Sequence, residues 1–472
     1  MIMRLLSAYK PTYPTNLVYM MQGTEYVPSQ FLKWFWRTKD FDKIMYRRSL
    51  HKTKIAKLLY CSIVFLIILQ IALGIISATY GYPVIGLMVI LSYPITVPHI
   101  MTIPLLLGRK FIIEPNITKS ISQAEKKVEK HNALKIAVAG SYGKTTMKEI
   151  LLAVFSDGKN TVATPGNMNV LQSHAKFINS LKGDEEVIIF EYGEGSPGDI
   201  KKFAKLTHPD IAILTGIAPA HLDQYKTIEN VAKDLLSISE FVDHKKIYVN
   251  KEGSKSNLIT QTNITYDSGG ISDWKISSVE SSSSSLSFEM PINGEQVSFS
   301  SGLIGEHQLG PLAVAIKLAY ELGISVKQIQ AGISSTKPFE HRMQPLQLPS
   351  GALVIDDTYN GNIEGVTVGL KLLKSLKANR KIYVTPGLVD QGEETQQVHK
   401  KMGILIKDAN PEQVVLIKNS ACEYIKNSLI NSGYSGEIIV RDDPLEFYTH
   451  LDQIFASGDL VLMQNDWTDN YH

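Results

Sequence analysis

From Leu58 to Gly108 the chain carries no Lys, Arg, Asp or Glu. Few folds can bury so long an uncharged run. Its first part, Ile55 to Tyr80, has one side-chain amide, Gln70, and exceeds the roughly 20 residues a helix needs to cross a bilayer core. Its second part, Tyr82 to Leu107, holds Pro83, Pro94, Pro98 and Pro104, which predicts a kinked or broken helix. The link Ala78–Pro83 supplies turn residues and two interfacial tyrosines, Tyr80 and Tyr82. Arg47, Arg48, Lys52, Lys54 and Lys57 precede the run, and Arg109 and Lys110 follow it. Basic flanks around an uncharged link predict a two-helix transmembrane hairpin over 55–110 in the cytoplasmic membrane, a multi-pass arrangement with both ends in the cytoplasm. The competing reading is an apolar hairpin buried in a soluble domain. A secretory signal fits poorly, because the run begins too far from Met1. Residues 1–54, with Phe31, Trp34, Phe35 and Trp36 near the basic cluster, read either as a segment on the membrane surface or as a small cytosolic helical cap.

A length of 472 residues calls for two or three domains. A net charge of +2 gives no electrostatic reason for a nucleic-acid partner. Two cysteines, Cys61 and Cys422, cannot build a disulfide framework and suit a reducing compartment. The histidines are scattered without metal-site spacing.

Past the apolar run, Ser120 to His131 reads as a solvated amphipathic helix. Leu134–Ala139 then reads as a buried strand, followed at once by Gly140-Ser141-Tyr142-Gly143-Lys144-Thr145-Thr146 and a helical pattern with Met147, Ile150, Leu151 and Val154 on one face. Strand, glycine loop, Lys-Thr and helix is the arrangement a triphosphate needs. The glycines admit phosphate oxygens to backbone N–H groups, and the helix N-terminus adds its positive dipole end. Lys144 reaches the β and γ phosphates, and Thr145 suits Mg²⁺. Val138 stands where the longer form of this motif has a first glycine, so the match is to the shorter GxxGKT form.

Two further strands end in chemistry-bearing residues. Val187–Phe190 leads to Glu191, and Ile211–Leu214 leads to Thr215-Gly216 with His221 close after. Ligands of open α/β sheets sit beyond the carboxyl ends of the strands, so the glycine loop, Glu191 and His221 can share one crevice. Glu191 and Thr145 are the oxygen donors Mg²⁺ takes beside phosphates. The bland alternatives are a helix-capping carboxylate for Glu191 and a backbone-bonded loop imidazole for His221. Downstream, the strand Ala352–Ile355 opens into Asp356-Asp357-Thr358-Tyr359-Asn360-Gly361-Asn362. There Asp357 suits ribose hydroxyls, and Tyr359, Asn360 and Asn362 suit a nucleotide or another polar ligand. The alternative is a polar turn. Residues 245–303 read as a β-rich insertion in which Ser281–Ser285 makes a turn. Lys381–Val384, Gln413–Ile417, Glu437–Val440 and Leu460–Met463 read as strands alternating with helices, and Asn465–Tyr471 as a substrate contact or a plain tail.

The segments AVAGSYGKTT (137–146), TPGNMN (164–169), FEYGEGSPGDI (190–200), TGIAPAHLDQY (215–225), GEHQ (305–308), HRM (341–343) and DDTYNGN (356–362) together resemble, in order and spacing, the Mur ligases of cell-wall synthesis. The likeness runs from about residue 110 to the end, and is strongest to the branch that adds D-alanyl-D-alanine to a muramyl tripeptide. It implies an α/β fold: a P-loop central domain with a mostly parallel sheet over 111–337 and a Rossmann-like C-terminal domain over 338–472. It implies an ATP-dependent, ADP-forming ligase that makes an amide through an acyl-phosphate, with ATP and Mg²⁺ as cofactors. Its partners would be a muramyl-peptide-like carboxylate and an amino-acid or dipeptide amine, acting on a monomer. Carried over, Lys144, Glu191 and His221 are catalytic, with Thr145, Glu191 and His221 on metal. Residues 140–146, His307, Arg342 and Asp357 hold the nucleotide. Asn167, Asn169, Tyr359, Asn360 and Asn362 face substrate. A Mur-like ligase for another acid and amine, of the poly-γ-glutamate type, and a non-catalytic nucleotide-binding regulator are the rival functions.

The pattern is departed from in three places. The resemblance implies a carbamylated lysine where Leu235 stands; Lys233 lies about 200° away on a helix, and Asp234 is the neighbouring carboxylate proposed in its place. Pro311 replaces an asparagine expected near the adenine. The hairpin occupies the place of the domain that grips the UDP end of the sugar nucleotide.

Overall fold

The computed structural model describes residues 7–38, 40–41, 50–166, 169–218, 222–253, 263–359, 361–388, 391 and 394–465. The chain divides into two compact units, Met1–Ser120 and Ile121–His472.

In the first unit the apolar run forms the helix Lys54–Thr79, whose start Thr53 caps by accepting the Ala56 amide at 3.1 Å. The return path is broken into Pro83–Leu91 and Tyr93–Gly108. The break falls at Ser92, two residues before Pro94, which has no amide to continue the ladder, whereas Pro98 and Pro104 stay inside the second piece. Gln70 stitches the break: its Nε2 donates to Val89 O at 2.8 Å and Ser92 Oγ at 2.9 Å, and its Oε1 accepts from Thr96 at 2.7 Å. Lower down, the two arms meet backbone to backbone. A Cβ on Gly86 would lie 2.3 Å from Gly74 O, which is the close crossing small residues permit in apolar helix pairs. The outward side chains are uncovered: Leu58 is 68% exposed, Phe65 63% and Met88 66%. Helices Lys54–Thr79 and Tyr93–Glu129 are long and apolar enough to cross a membrane. The preceding helices, Tyr13–Gly23 and Pro28–Arg37, bury Tyr13, Phe31 and Phe35 in one cluster with Ile63, Val97 and Met101, and Tyr13 donates to Pro94 O at 2.6 Å. The described part of the aromatic N-terminal segment is therefore helical and packed on the hairpin.

The second unit is built on two sheets. The first runs β2-β3-β1-β4-β5-β6-β7-β8, made of β1 (Leu134–Ala139), β2 (Thr161–Ala163), β3 (Val187–Glu191), β4 (Ile211–Leu214), β5 (Ile247–Asn250), β6 (Ile264–Asp267), β7 (Gly270–Ile271) and β8 (Trp274–Lys275). β1 to β6 are parallel, and β1 lies between β3 and β4, with Val138 opposite Glu191 and Ala139 opposite Leu214. The apolar runs predicted at β1, β3 and β4 are buried on both faces, as a helix-covered parallel sheet requires. An antiparallel ribbon of β9 (Ser277–Ser281), β10 (Leu286–Ile292) and β11 (Glu295–Ser301) adds to one edge of the unit, and its serine run forms the turn, with Ser282 Oγ accepting from the Ser284 and Ser285 amides.

The second sheet runs β12-β13-β17-β14-β15-β16, made of β12 (Gln344–Gln347), β13 (Leu353–Asp357), β14 (Arg380–Thr385), β15 (Gln413–Ile417), β16 (Glu437–Arg441) and β17 (Asp459–Gln464). It is parallel apart from the edge strand β12, with apolar clusters on both faces.

Candidate active site

The loop after β1 turns where no side chain fits. Gly140 has φ +142°, and a Cβ there would lie 2.3 Å from Thr215 Oγ1; Gly143 has φ +73° and starts the helix Lys144–Ser156. The adjacent strand end clamps the loop: Ser141 N donates to Gly216 O at 2.9 Å, and Ser141 Oγ donates to Ala218 O at 3.0 Å. Thr215 donates to the Tyr142 carbonyl, and the Tyr142 ring lies against Gly216 and Gly253, where any Cβ would strike it. The β1 connection departs to one side of the sheet and the β4 connection to the other, so the loop sits at the switch point.

Charge at this end is paired residue by residue. Thr145 Oγ1 donates to Glu191 Oε1 at 2.7 Å. Glu191 Oε2 lies 3.2 Å from Lys148 Nζ, a fully buried lysine that also donates to Thr164 O at 3.0 Å and Gly166 O at 2.9 Å. Lys144 Nζ donates to Gly140 O at 2.5 Å and lies 2.9 Å from Glu194 Oε2. His174 Nε2 donates to Glu191 O over 2.9 Å and is sandwiched among Phe190, Tyr192 and Phe203; burial holds its imidazole down at about 4. Lys148, His174 and Glu194 were not picked out from sequence. Lys148 is one turn beyond Lys144 on the same helix, and Glu194 is three residues past Glu191 on a strand-end loop; those spacings were the available signal.

Across the cleft, β13 delivers Asp357. Its Oδ2 accepts from Gln464 Nε2 at 2.8 Å and its Oδ1 from Met343 N at 3.3 Å. Burial raises its carboxyl to about 6, although these bonds and Arg342 act the other way. The Arg342 guanidinium lies 4.2 Å from the centre of the Tyr359 ring. His341 and Met343, on either side of Arg342, have φ +59° and +47°, an uncommon backbone for side-chain-bearing residues. His307 rests beside Gln308, with Nε2 2.9 Å from Gln308 Nε2, and burial lowers it to about 4. Tyr142, Gly143 and Thr146 on one wall and His307, Arg342, Asp357 and Tyr359 on the other enclose a cleft of about 650 Å³, within the size range of small-molecule sites.

Other expected site residues fare differently. Asn362 lines the cleft, but its Oδ1 caps the helix Ile363–Ser375 by accepting the Gly365 amide at 2.8 Å. Asn169 is exposed, and its carbonyl lies against Gly193. Asn167, His221 and Asn360, and the tail from Asp466, lie outside the described residues. Asp234 does not serve as a substitute metal carboxylate: its oxygens accept the Gly198 amide at 2.7 Å and the Tyr225 hydroxyl at 2.8 Å. Leu235 is core and Lys233 is exposed, as the helical geometry requires. Among the described residues no three His, Cys, Asp or Glu side chains converge on a metal geometry.

Residues 138–319 match the Mur ligase middle domain. The chain is 28% identical over 295 residues to the UDP-N-acetylmuramoyl-tripeptide–D-alanyl-D-alanine ligase of Buchnera aphidicola and 26% identical over 282 residues to that of Bacillus subtilis. These matches cover 61% and 59% of this chain, and they span only 63% and 61% of those relatives' length. Among solved structures, MurF from Acinetobacter baumannii has a TM-score of 0.65 at 19% identity, covering 74% of this chain and 77% of that one. The MurF ligase from Thermotoga maritima in complex with ADP has a TM-score of 0.63 at 23% identity, covering 74% and 80%. The second unit thus has the MurF-like α/β fold.

Proposed function

We propose that this chain is an ATP-dependent ligase of the Mur type, which joins a carboxylate to an amine through an acyl-phosphate. The observation that carries the reading is the facing of two walls. Tyr142, Gly143 and Thr146 of the glycine-lined loop, which also carries Lys144 and the Thr145–Glu191 pair, form one wall of the cleft, and Arg342, Asp357 and Tyr359 form the other. The named relatives ligate D-alanyl-D-alanine to a UDP-N-acetylmuramoyl tripeptide, and a muramyl-type peptide carboxylate and that dipeptide are the substrates we assign.

The roles follow from the geometry. Backbone amides of the first helical turn, which have no acceptor within the helix, receive the phosphates. Lys144 neutralises the terminal phosphate. The Thr145 hydroxyl and Glu191 carboxylate, 2.7 Å apart, are an oxygen pair that fits Mg²⁺. That ion, when bound, lowers the charge on the transferring phosphoryl group. Asp357 takes ribose hydroxyls, and Arg342, laid on Tyr359, approaches the phosphates from the far wall. The carboxylate attacks the γ-phosphorus and ADP leaves. The amine then attacks the acyl carbon, phosphate leaves, and the nitrogen gives up a proton. Water must be kept from the acyl-phosphate, which a closing cleft achieves.

The two apolar helices are membrane spans in this reading, forming a hairpin over 55–110 with basic flanks in the cytoplasm. Residues 111–337 are the central domain and 338–472 the C-terminal domain. A regulator without catalysis is the second reading, favoured by the buried Leu235 where a carbamylated lysine is implied. The purified full-length chain in detergent should release ADP only when a muramyl tripeptide and D-alanyl-D-alanine are both present, with a condensation product seen by mass spectrometry. ADP release with other acid–amine pairs alone would move the assignment to another ligase. ATP binding without turnover for any pair would favour the regulator.

A further inference from the structure

A phosphate loop grips its ligand through backbone amides, so the side chain in the middle of the loop is free for other work. In this chain that side chain is Tyr142, and it does not point to solvent. Its ring leaves the loop after β1, crosses the end of β4 at Gly216 and reaches the end of β5 at Gly253, following the sheet order β1-β4-β5. A Cβ on either glycine would overlap the ring, so the slot exists only because both positions lack one.

The walls of the slot are tied to one another. Ser141 N donates to Gly216 O, Ile217 N donates to Gly253 O at 2.7 Å, and the Thr215 hydroxyl donates to the Tyr142 carbonyl. Asn250 fixes the far side: its Nδ2 donates to Thr215 O at 3.0 Å, and its Oδ1 accepts the Glu252 and Gly253 amides at 3.0 and 3.3 Å. The loop and the two strand ends therefore hold the ring in one place.

The ring is packed, but the hydroxyl is not used by the fold. Among the described residues it has no hydrogen-bond partner, and Tyr142 lines the cleft beside Asn250, Glu252, Gly253 and Ser268. Burial, with the charges of Glu364 and Glu252, raises it above the ordinary tyrosine value, so it keeps its proton and is a donor. A tyrosine with an anchored ring and an unpaired hydroxyl is built to meet a ligand that has both an apolar face and an acceptor. Asp357, assigned above to ribose hydroxyls, stands on the opposite wall. A nucleotide with its phosphates on the loop and its ribose at Asp357 places its nucleoside between the two walls.

We propose that Tyr142 is a nucleoside-binding residue: its ring is the floor on which the nucleoside lies opposite Asp357, and its hydroxyl donates to a nucleoside acceptor. The inference rests on the nucleotide-binding reading above. It gives one loop two tasks, the backbone holding phosphate and the side chain holding what the phosphates are attached to.

The test is equilibrium binding of ATP and of inorganic tripolyphosphate, both with Mg²⁺, to the full-length chain in detergent, for the wild type, Tyr142→Phe and Tyr142→Ala. Tyr142→Phe keeps the slot filled and should weaken ATP about threefold to tenfold, the scale of one neutral hydrogen bond. Tyr142→Ala should weaken ATP about tenfold to a hundredfold, the scale of losing an aromatic surface under a base. Both variants should bind tripolyphosphate as the wild type does, because the amides and Lys144 are untouched; a merely structural role for the ring would weaken the two ligands alike. Tyr142→Phe decides the matter if the alanine variant fails to fold. Unchanged ATP affinity in Tyr142→Phe, or losses matched by tripolyphosphate, would overturn the nucleoside contact and leave the ligase reading intact. A wild type that binds no MgATP would overturn both.

Discussion

The phosphate end and the hinge end of the cleft solve opposite electrostatic problems. At the phosphate end every buried charge has a named opposite: Lys148 with Glu191, Lys144 with Glu194. The groups stand on a strand end and a helix start, which hold their positions before any ligand arrives. At the hinge end burial favours neutral forms, with Asp357 raised to about 6 and His307 lowered to about 4. The backbone there takes left-handed turns at His341 and Met343. In the proposed function one end receives a polyanion; the other is a drier wall, suited to a base and sugar and assembled from residues that two strands and a connecting loop bring together.

The sharpest way to break this comparison is to remove one ionisable group from each end. Lys144→Met should lower turnover about 10³-fold, the scale of losing one preorganised group aimed at developing charge. Asp357→Asn should cost nearer tenfold. Equal losses, measured as kcat/KM for ATP, would mean that the ends do not divide the work in this way. Lys148→Met probes the same end through stability. It leaves Glu191 buried beside no lysine and should destabilise the fold by about 3–5 kcal/mol in denaturant titration. Lys148→Met with unaltered stability would show that the pair is not the structural one.

The pH dependence should separate the ends of the titration range. Asp357 binds its proton more tightly in the folded state than in the unfolded one, so its contribution favours folding below about 4 and is lost as pH rises through about 6. His307 binds its proton less tightly when folded, so its contribution is present above about 6.5 and is lost as pH falls toward 4. Between pH 7 and 4 the wild type should therefore gain stability relative to Asp357→Asn and lose stability relative to His307→Gln, each by on the order of 2 kcal/mol. Thermal unfolding of the three proteins across that range measures both slopes; slopes of the same sign would contradict the assignment.

What could be read from the chain alone divides along the same line. The phosphate loop is contiguous, so Gly140, Lys144 and Thr145 announce one another, and the strand before and helix after are local patterns. Glu191 was legible because a buried strand ends at it. The hinge end was less so: Gln464 reaches Asp357 from a strand 107 positions away, and no short pattern joins them. For Asn362, expected as a substrate contact, the structure adds a helix-capping role that the sequence pattern alone does not separate from it: its Oδ1 accepts the Gly365 amide while the residue lines the cleft. The apolar run gave its two arms and their break, while the Gly74–Gly86 crossing depended on register between arms, which composition does not carry.

The smallest effect concerns how the hinge wall holds its arginine. The guanidinium of Arg342 lies over the Tyr359 ring at 4.2 Å, and a cation over an aromatic face is worth about 0.5–2 kcal/mol depending on how dry the site is. Tyr359→Leu keeps apolar bulk and removes the ring's electrostatic hold, so Arg342 should sample more positions. The expected outcome is a rise of about threefold to tenfold in KM for ATP with little change in thermal midpoint, and Tyr359→Phe should restore most of the affinity because the face remains. If the leucine variant matched the wild type while the phenylalanine variant did not, the hydroxyl rather than the ring would be the part that matters, and Tyr359 would move from the arginine's support to the substrate's.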